Sequence, residues 1–205
     1  MPLRNTEPTA QRVSNEHRFL DAAERLLVEI GYAGITARKL ADEAGANLGL
    51  VHYYFGSMEE LFVQVLERFT GQLISRQRAM YESTAPYIEK WRTAMRYLHE
   101  DRPYQKVWWE LQAMGWNRPE FSARIARVHE EWREAMRASV VEAVKRYQLE
   151  QGGLSVDAWI TLIVTVNEGI ILERLSGIDR GHTELLAGID RWLETKERNS
   201  ANASD

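Results

Sequence analysis

The chain contains no cysteine, which excludes disulfides, cysteine metal sites and a thiol nucleophile together. Long apolar runs are also missing. The nearest approach, Trp159 to Leu172, is interrupted by Asn167 and Glu168, so no membrane span is expected. The first residues lack the apolar core of a signal peptide, and a cytoplasmic location is expected. Positive charge is scarce: the net charge is −4. Up to Met58, Arg4, Arg12, Arg18, Arg25, Arg38 and Lys39 are outnumbered by Glu7, Glu16, Asp21, Glu24, Glu29, Asp42 and Glu43. Bulk electrostatics therefore argue against strong non-specific nucleic-acid binding, and any such function must rest on a small surface. Catalytic patterns are absent too. His17, His52, His99, His129 and His182 are scattered without ligand spacing, and no HExxH, GxSxG or phosphate-cradling glycine loop occurs. The many carboxylates fall on charged helix faces, where solvation is the default. No enzyme, metal or cofactor is expected, and no segment reads as a strand.

What is present is 205 residues, 44% of them hydrophobic, enough to bury a substantial core. The informative stretch runs from Gly31 to Leu61. Thr36 is a good N-cap, its hydroxyl free to accept from an orphan N–H. Leu40, Ala41 and Ala44 then repeat at helical spacing. Gly45 stops the helix, because it enters the left-handed conformation without a Cβ clash. Asn47 caps the next short helix, which carries Val51 and Phe55 on one side. Ser57-Met58-Glu59-Glu60 fits a capping box. Three capped starts with a glycine stop between the first two describe a helix-turn-helix, a unit that presents one short helix to a DNA major groove.

The run T-A-R-K-L-A-D-E-A-G followed by L-V-H-Y-Y-F-G-S-M-E-E-L resembles the DNA-binding domain of TetR-type (tetracycline-repressor-like) transcriptional regulators. The resemblance is close from about Ser14 to Leu66 and beyond that rests on helix layout. Met58 departs from it, standing where the family usually has a lysine, so a phosphate contact expected there is missing. The resemblance implies a base or phosphate contact at Arg38, whose forked donors suit guanine O6 and N7. Leu48 and Leu50 suit thymine methyls, and His52 and Tyr54 suit phosphates, which set register without reading sequence. Tyr53 is expected to pack inward. The expected DNA-binding set is Thr36, Arg38, Lys39, Asn47, Leu48, Gly49, Leu50, His52 and Tyr54. For His52 and Tyr54 surface or core packing is the alternative, and for Lys39 an ordinary exposed charge.

The rest of the chain reads as helices. Residues 1–13 are expected to be a disordered arm, 14–60 the DNA-binding domain, 61–197 a sensing and dimerising domain, and 198–205 a disordered tail. Phe19, Ala23, Leu26, Leu27 and Ile30 make the apolar stripe of a first helix from about Asn15. Pro86, Pro103 and Pro119 open helices, Gly152-Gly153 breaks the chain, and Ser155 caps a helix that is apolar nearly all round. Such a helix needs cover on every side, so the last two helices are expected to form a homodimer interface, an arrangement the resemblance also implies. Asn167 and Glu168 need partners there, since unbonded buried polar groups are costly; a ligand, an arginine such as Arg174, or the other subunit would serve. Tryptophans are frequent at Trp91, Trp108, Trp109, Trp116, Trp132 and Trp159. They build core or line pockets for apolar ligands. Trp91, Met95, Trp108, Gln112 and Trp132 are the expected ligand-binding set, because helical spacing puts them on inner stripes.

The expectation is an all-α protein: an N-terminal three-helix head and a helical ligand-binding and dimerisation body. Its partners are double-stranded operator DNA, a small-molecule effector and a second copy. The expected action is repression of a palindromic operator, relieved by a small apolar or aromatic ligand. The alternatives are a DNA-binding dimer without a ligand and, from another class, an all-α enzyme acting on an apolar substrate.

Overall fold

The computed structural model describes residues 9–202, with side chains from Asn15 onward. Its helices are α1 (Thr9–Ile30), α2 (Ala37–Ala44), α3 (Gly49–Phe55), α4 (Met58–Tyr81), α5 (Tyr87–Glu100), α6 (Arg102–Trp116), α7 (Pro119–Arg146), α8 (Val156–Leu175) and α9 (His182–Asn202). Short 3-10 turns stand at Tyr32–Gly34 and Leu149–Gly152. Among the described residues there is no strand, and the all-α expectation holds. Helix α1 begins at Thr9 rather than near Asn15, and α9 runs to Asn202 rather than ending at residue 197. Neither 9–13 nor 198–202 contains a glycine or proline to stop a helix. Arg4 and the side chain of Arg12, expected in the arm, lie outside the described residues.

The chain divides into two compact units, residues 9–70 with 103–125 and residues 71–102 with 126–202. This division does not follow the expected boundary at residue 60, because α6 and the start of α7 pack with the N-terminal helices. The core of the first unit gathers Phe19, Leu27, Leu40, Val51, Leu61, Leu66 and Leu111, all fully buried. Burying each such side chain contributes roughly 1.5–3 kcal/mol. Ile30, expected in the apolar stripe of α1, is 41% exposed. Around the core lie partly buried ion pairs that join segments distant in sequence. Arg68 of α4 reaches Asp21 (2.7 Å) and Glu24 (2.6 Å) of α1. Arg124 of α7 reaches Glu60 (2.7 Å) and Glu67 (2.6 Å) of α4. The Tyr32 backbone N–H donates to Glu110 Oε2 of α6 at 2.6 Å. Gly115 is buried so closely against α7 that a Cβ there would come within 2.2 Å of Ile125 Cδ1.

The second unit has two apolar clusters. Tyr81, Met136, Val140, Val144 and Ile160 form one, with Trp132 and Trp159 packed on it. Ile88, Ala143, Tyr147 and Leu193 form the other, with Trp91 and Ile189 alongside. Arg92 of α5 holds α9 through Asp190 (2.8 Å) and Glu194 (2.6 Å). Glu197 of α9 takes Arg146 (2.5 Å) and the Tyr147 hydroxyl (2.6 Å) of the α7 end. Ser155 caps α8 as expected, accepting from the Ala158 N–H at 3.2 Å. Helix α8 is strongly apolar, yet only Ile160 and Ile170 of it are buried. Leu162, Leu172 and Leu175 of α8, Ile178 after it, and Leu185 and Trp192 of α9 are all 40% exposed or more. Among the described residues, no helix is long and apolar enough to cross a membrane.

Candidate nucleic-acid interface

The interface is built by local capping chemistry. The Thr36 hydroxyl accepts from the Lys39 N–H at 3.2 Å and starts α2. Helix α2 ends in a Schellman pattern: Ala46 N–H reaches Ala41 O (3.0 Å) and Gly45 N–H reaches Asp42 O (3.1 Å). Gly45 supplies the left-handed residue this requires, at φ 58°. Arg18 of α1 donates to the Gly45 carbonyl at 2.8 Å and ties the turn down. The Asn47 side chain accepts from the Gly49 N–H at 2.9 Å. Leu48 already has helical dihedrals, so Asn47 caps α3 as its sequence position suggests. Ser57 accepts from the Glu60 N–H at 3.0 Å, which is half of a capping box. The Glu60 carboxylate is turned to Arg124 and Gln64. Burial works to raise its pKa, but these bonds outweigh burial and hold it below the usual carboxylate range.

Two buried residues seat α3: Val51 and Phe55. Phe55 meets Phe19 of α1 edge-on, with ring centroids 6.2 Å apart. Each α-helical residue advances by about 100°, so Tyr53 lies opposite the Val51–Phe55 face. It is 54% exposed, which corrects the expectation that it packs inward. Tyr54 is the half-buried one. It leans on Phe19 (6.3 Å between centroids) and its hydroxyl accepts from Asn15 Nδ2 at 3.4 Å. The outer face of α2 and α3 thus presents Thr36, Arg38, Lys39, Asn47, Leu48, Gly49, His52 and Tyr53, with Leu50 half-buried at its edge. Tyr53 is the contact candidate that sequence reasoning missed, and counting rotation from Val51 finds it.

The charges of this face are sorted. Glu43 is paired with Arg25 at 2.8 Å. Lys39 Nζ donates to the Gly34 carbonyl at 3.0 Å. Arg38 is exposed and makes no ion pair with a described residue. The His52 Nδ1 faces the Gly56 carbonyl at 3.0 Å, so that nitrogen carries the proton and donates. In the neutral ring, Nε2 is then an acceptor, and only the imidazolium donates to a phosphate.

Residues 19–65 match the family model described as bacterial regulatory proteins, tetR family. Residues 19–65 of the first unit are thus similar to a tetR-family domain. The repressor KstR2 of Mycobacterium tuberculosis is 32% identical over 77 residues, 38% of this chain and 38% of that protein. The activator FasR of Mycolicibacterium smegmatis is 30% identical over 78 residues, 38% of this chain and 36% of that protein. The chain therefore matches little more than a third of the length of these relatives. A solved TetR-family structure from Streptomyces coelicolor A3 is 26% identical, with a TM-score of 0.61 over 87% of this chain and 97% of that one. The helical fold thus agrees well beyond the tetR-family match.

The expected ligand-binding residues fall in different units. Trp108 and Gln112 of α6 lie in the first, and Trp91, Met95 and Trp132 lie in the second. Gln112 is buried, and neither its Nε2 nor Trp109 Nε1 has a partner among the described residues. In the second unit a groove of about 930 Å³ runs between α8 and α9 over α7. Trp91 lines it; Met95 and Trp132 do not. Asn167 also lines this groove. Glu168 faces His129 of α7 at 3.6 Å, rather than Arg174. Burial raises the Glu168 pKa against the pull of Arg133, and burial lowers that of His129. Trp116, at the end of α6, is 71% exposed and belongs to no core.

Proposed function

We propose that the protein is a homodimeric transcriptional regulator, a repressor that occupies a palindromic operator and leaves it when a small apolar ligand binds. The observation that carries the DNA part is the outer face of α2 and α3. Arg38 is exposed on α2, and His52 and Tyr53 stand with Leu48 on the exposed side of α3, a helix fixed by Val51 and Phe55 and capped at its start by Asn47. The tetR-family match covers this segment. An exposed leucine on a polar face suits a thymine methyl.

The dimer is supported by the apolar, exposed surfaces of α8 and α9. A contiguous surface of this kind marks a protein–protein contact. A second copy of the same two helices completes its cover, and a two-fold dimer matches a two-fold operator. The ligand reading is supported by the tryptophan-lined groove of the second unit and by buried donors without partners among the described residues, Trp159 Nε1, Trp109 Nε1 and Gln112 Nε2. A ligand releases DNA only if it prefers one head spacing over another. The protein works in the cytoplasm, where its DNA is.

Selection from random duplex DNA tests the reading. Full-length protein is expected to enrich an inverted repeat, and sedimentation is expected to give a dimer. A folded protein that enriches no sequence defeats the proposal.

A further inference from the structure

The His52 ring is held in one tautomer. Its Nδ1 faces the Gly56 carbonyl at 3.0 Å. A carbonyl oxygen only accepts, so Nδ1 carries the proton. The same two residues are joined a second time, because the Gly56 N–H donates to the His52 carbonyl at 3.0 Å. The pairing depends on the chain reversing at Gly56, whose φ of 75° favours glycine. In the neutral ring, Nε2 is left as an acceptor. It makes no hydrogen bond with a described residue, and the side chain is exposed.

That acceptor does not suit a phosphate, whose oxygens also only accept. The DNA groups that fit it are donors. In the major groove these are the exocyclic amino groups, N6 of adenine and N4 of cytosine; guanine and thymine present only acceptors and a methyl there. The surroundings on α3 suit a base edge. Val51 and Phe55 seat the helix, and His52 is not part of that buried pair. Leu48, 45% exposed, stands one turn before His52 on the same side of the helix. An A·T pair offers both an amino donor and a methyl on one edge, so the Leu48–His52 pair favours adenine over cytosine.

We propose that His52 is a specificity-determining residue: its Nε2 accepts a hydrogen bond from a base amino group, adenine N6 or cytosine N4, instead of contacting a phosphate. The Gly56 carbonyl is the positioning group, since it fixes which nitrogen faces the base. This deepens the reading of α3 as the DNA-facing helix and rests on it.

The test repeats the selection from random duplex DNA, at fixed salt and mildly alkaline pH, with full-length wild type, His52→Phe and His52→Ala. His52→Phe keeps a flat ring without the acceptor. Wild type is expected to enrich an inverted repeat with an adenine or cytosine at one position per half-site that both variants no longer select, while the other positions are kept. Titration then deletes the amino group at that position, with unsubstituted purine for adenine or 2-pyrimidinone for cytosine. The deletion should weaken wild type by about five- to tenfold and the variants by less than about twofold, and the base at which it does so identifies the donor. An inverted repeat whose every preference survives in both variants overturns the proposal and leaves the DNA-binding reading standing. Variants that lose the same factor on selected and unrelated duplexes make His52 a phosphate contact, which also overturns it. Wild type alone gives a second check: if no amino deletion in the half-site costs it more than about twofold, the proposal fails whatever the variants do. A folded wild type that enriches no sequence overturns both readings.

Discussion

Arg124 offers the sharpest test of how the first unit is held together. Its guanidinium makes four hydrogen bonds to two carboxylates of α4, at 2.7 and 2.8 Å to Glu60 and 2.6 and 2.8 Å to Glu67. The side chains are 26% exposed for Arg124, 29% for Glu60 and 36% for Glu67. Solvent-exposed pairs contribute about 0–1 kcal/mol, whereas breaking a buried pair costs about 3–5 kcal/mol. With a quarter to a third of each group in water, Arg124→Met should destabilise the protein by about 1–3 kcal/mol near neutral pH. The pH dependence follows from Glu60. Burial would raise its pKa, but the bonds from Arg124 and Gln64 hold it below its ordinary value of 4.5. A lowered carboxylate contributes stability that is full above 4.5 and is lost as pH falls through the lower folded value. The gap between wild type and Arg124→Met should therefore be widest near neutrality and narrow well below 4.5. Urea unfolding followed by circular dichroism at both pH values measures this. A gap under about 0.5 kcal/mol at neutral pH, or one that does not narrow in acid, refutes the reasoning.

Other outcomes follow from the same geometry. Arg38→Ala should weaken operator binding by about 1–3 kcal/mol and relax preference at one base pair per half-site, read by titration at fixed salt. Tyr53→Ala should change stability by less than about 1 kcal/mol yet weaken DNA binding. Phe55→Ala should cost about 3–5 kcal/mol of stability, because it removes half of what seats α3. Leu162→Asp and Leu185→Asp should leave the helical content unchanged, since both side chains are 46% exposed within the subunit. Sedimentation should nevertheless show monomers, because an aspartate there enters the proposed dimer interface unpaired.

Local chemistry was legible in the sequence. Thr36, Gly45, Asn47 and Ser155 do at short range what their types dictate, and the helix layout followed from apolar spacing and glycine or proline breaks. Non-local geometry was not. Nothing near Glu60 in sequence announces Arg124, so the capping-box reading gave its carboxylate the wrong partner. The same holds for Glu110 and the Tyr32 N–H, and hence for the packing of α6 with the N-terminal helices. The exchange of Tyr53 and Tyr54 has a different origin: the rotation of a seven-residue helix sets it, and Val51 and Phe55 fix the phase. The groove between α8 and α9 joins residues from α5, α7, α8 and α9, and single-helix periodicity carries no signal for it. The absent stop signals at 9–13 and 198–202 explain the longer α1 and α9.

In the proposed regulator two copies of the α2–α3 face read DNA together, which hydroxyl-radical footprinting on the selected duplex resolves. Two protected patches related by a dyad are expected, on one face of the duplex and separated by about one helical turn or a multiple of it, with both patches weakened equally by Arg38→Ala. A single asymmetric patch, or protection that Arg38→Ala and Tyr53→Ala together leave intact, would contradict it.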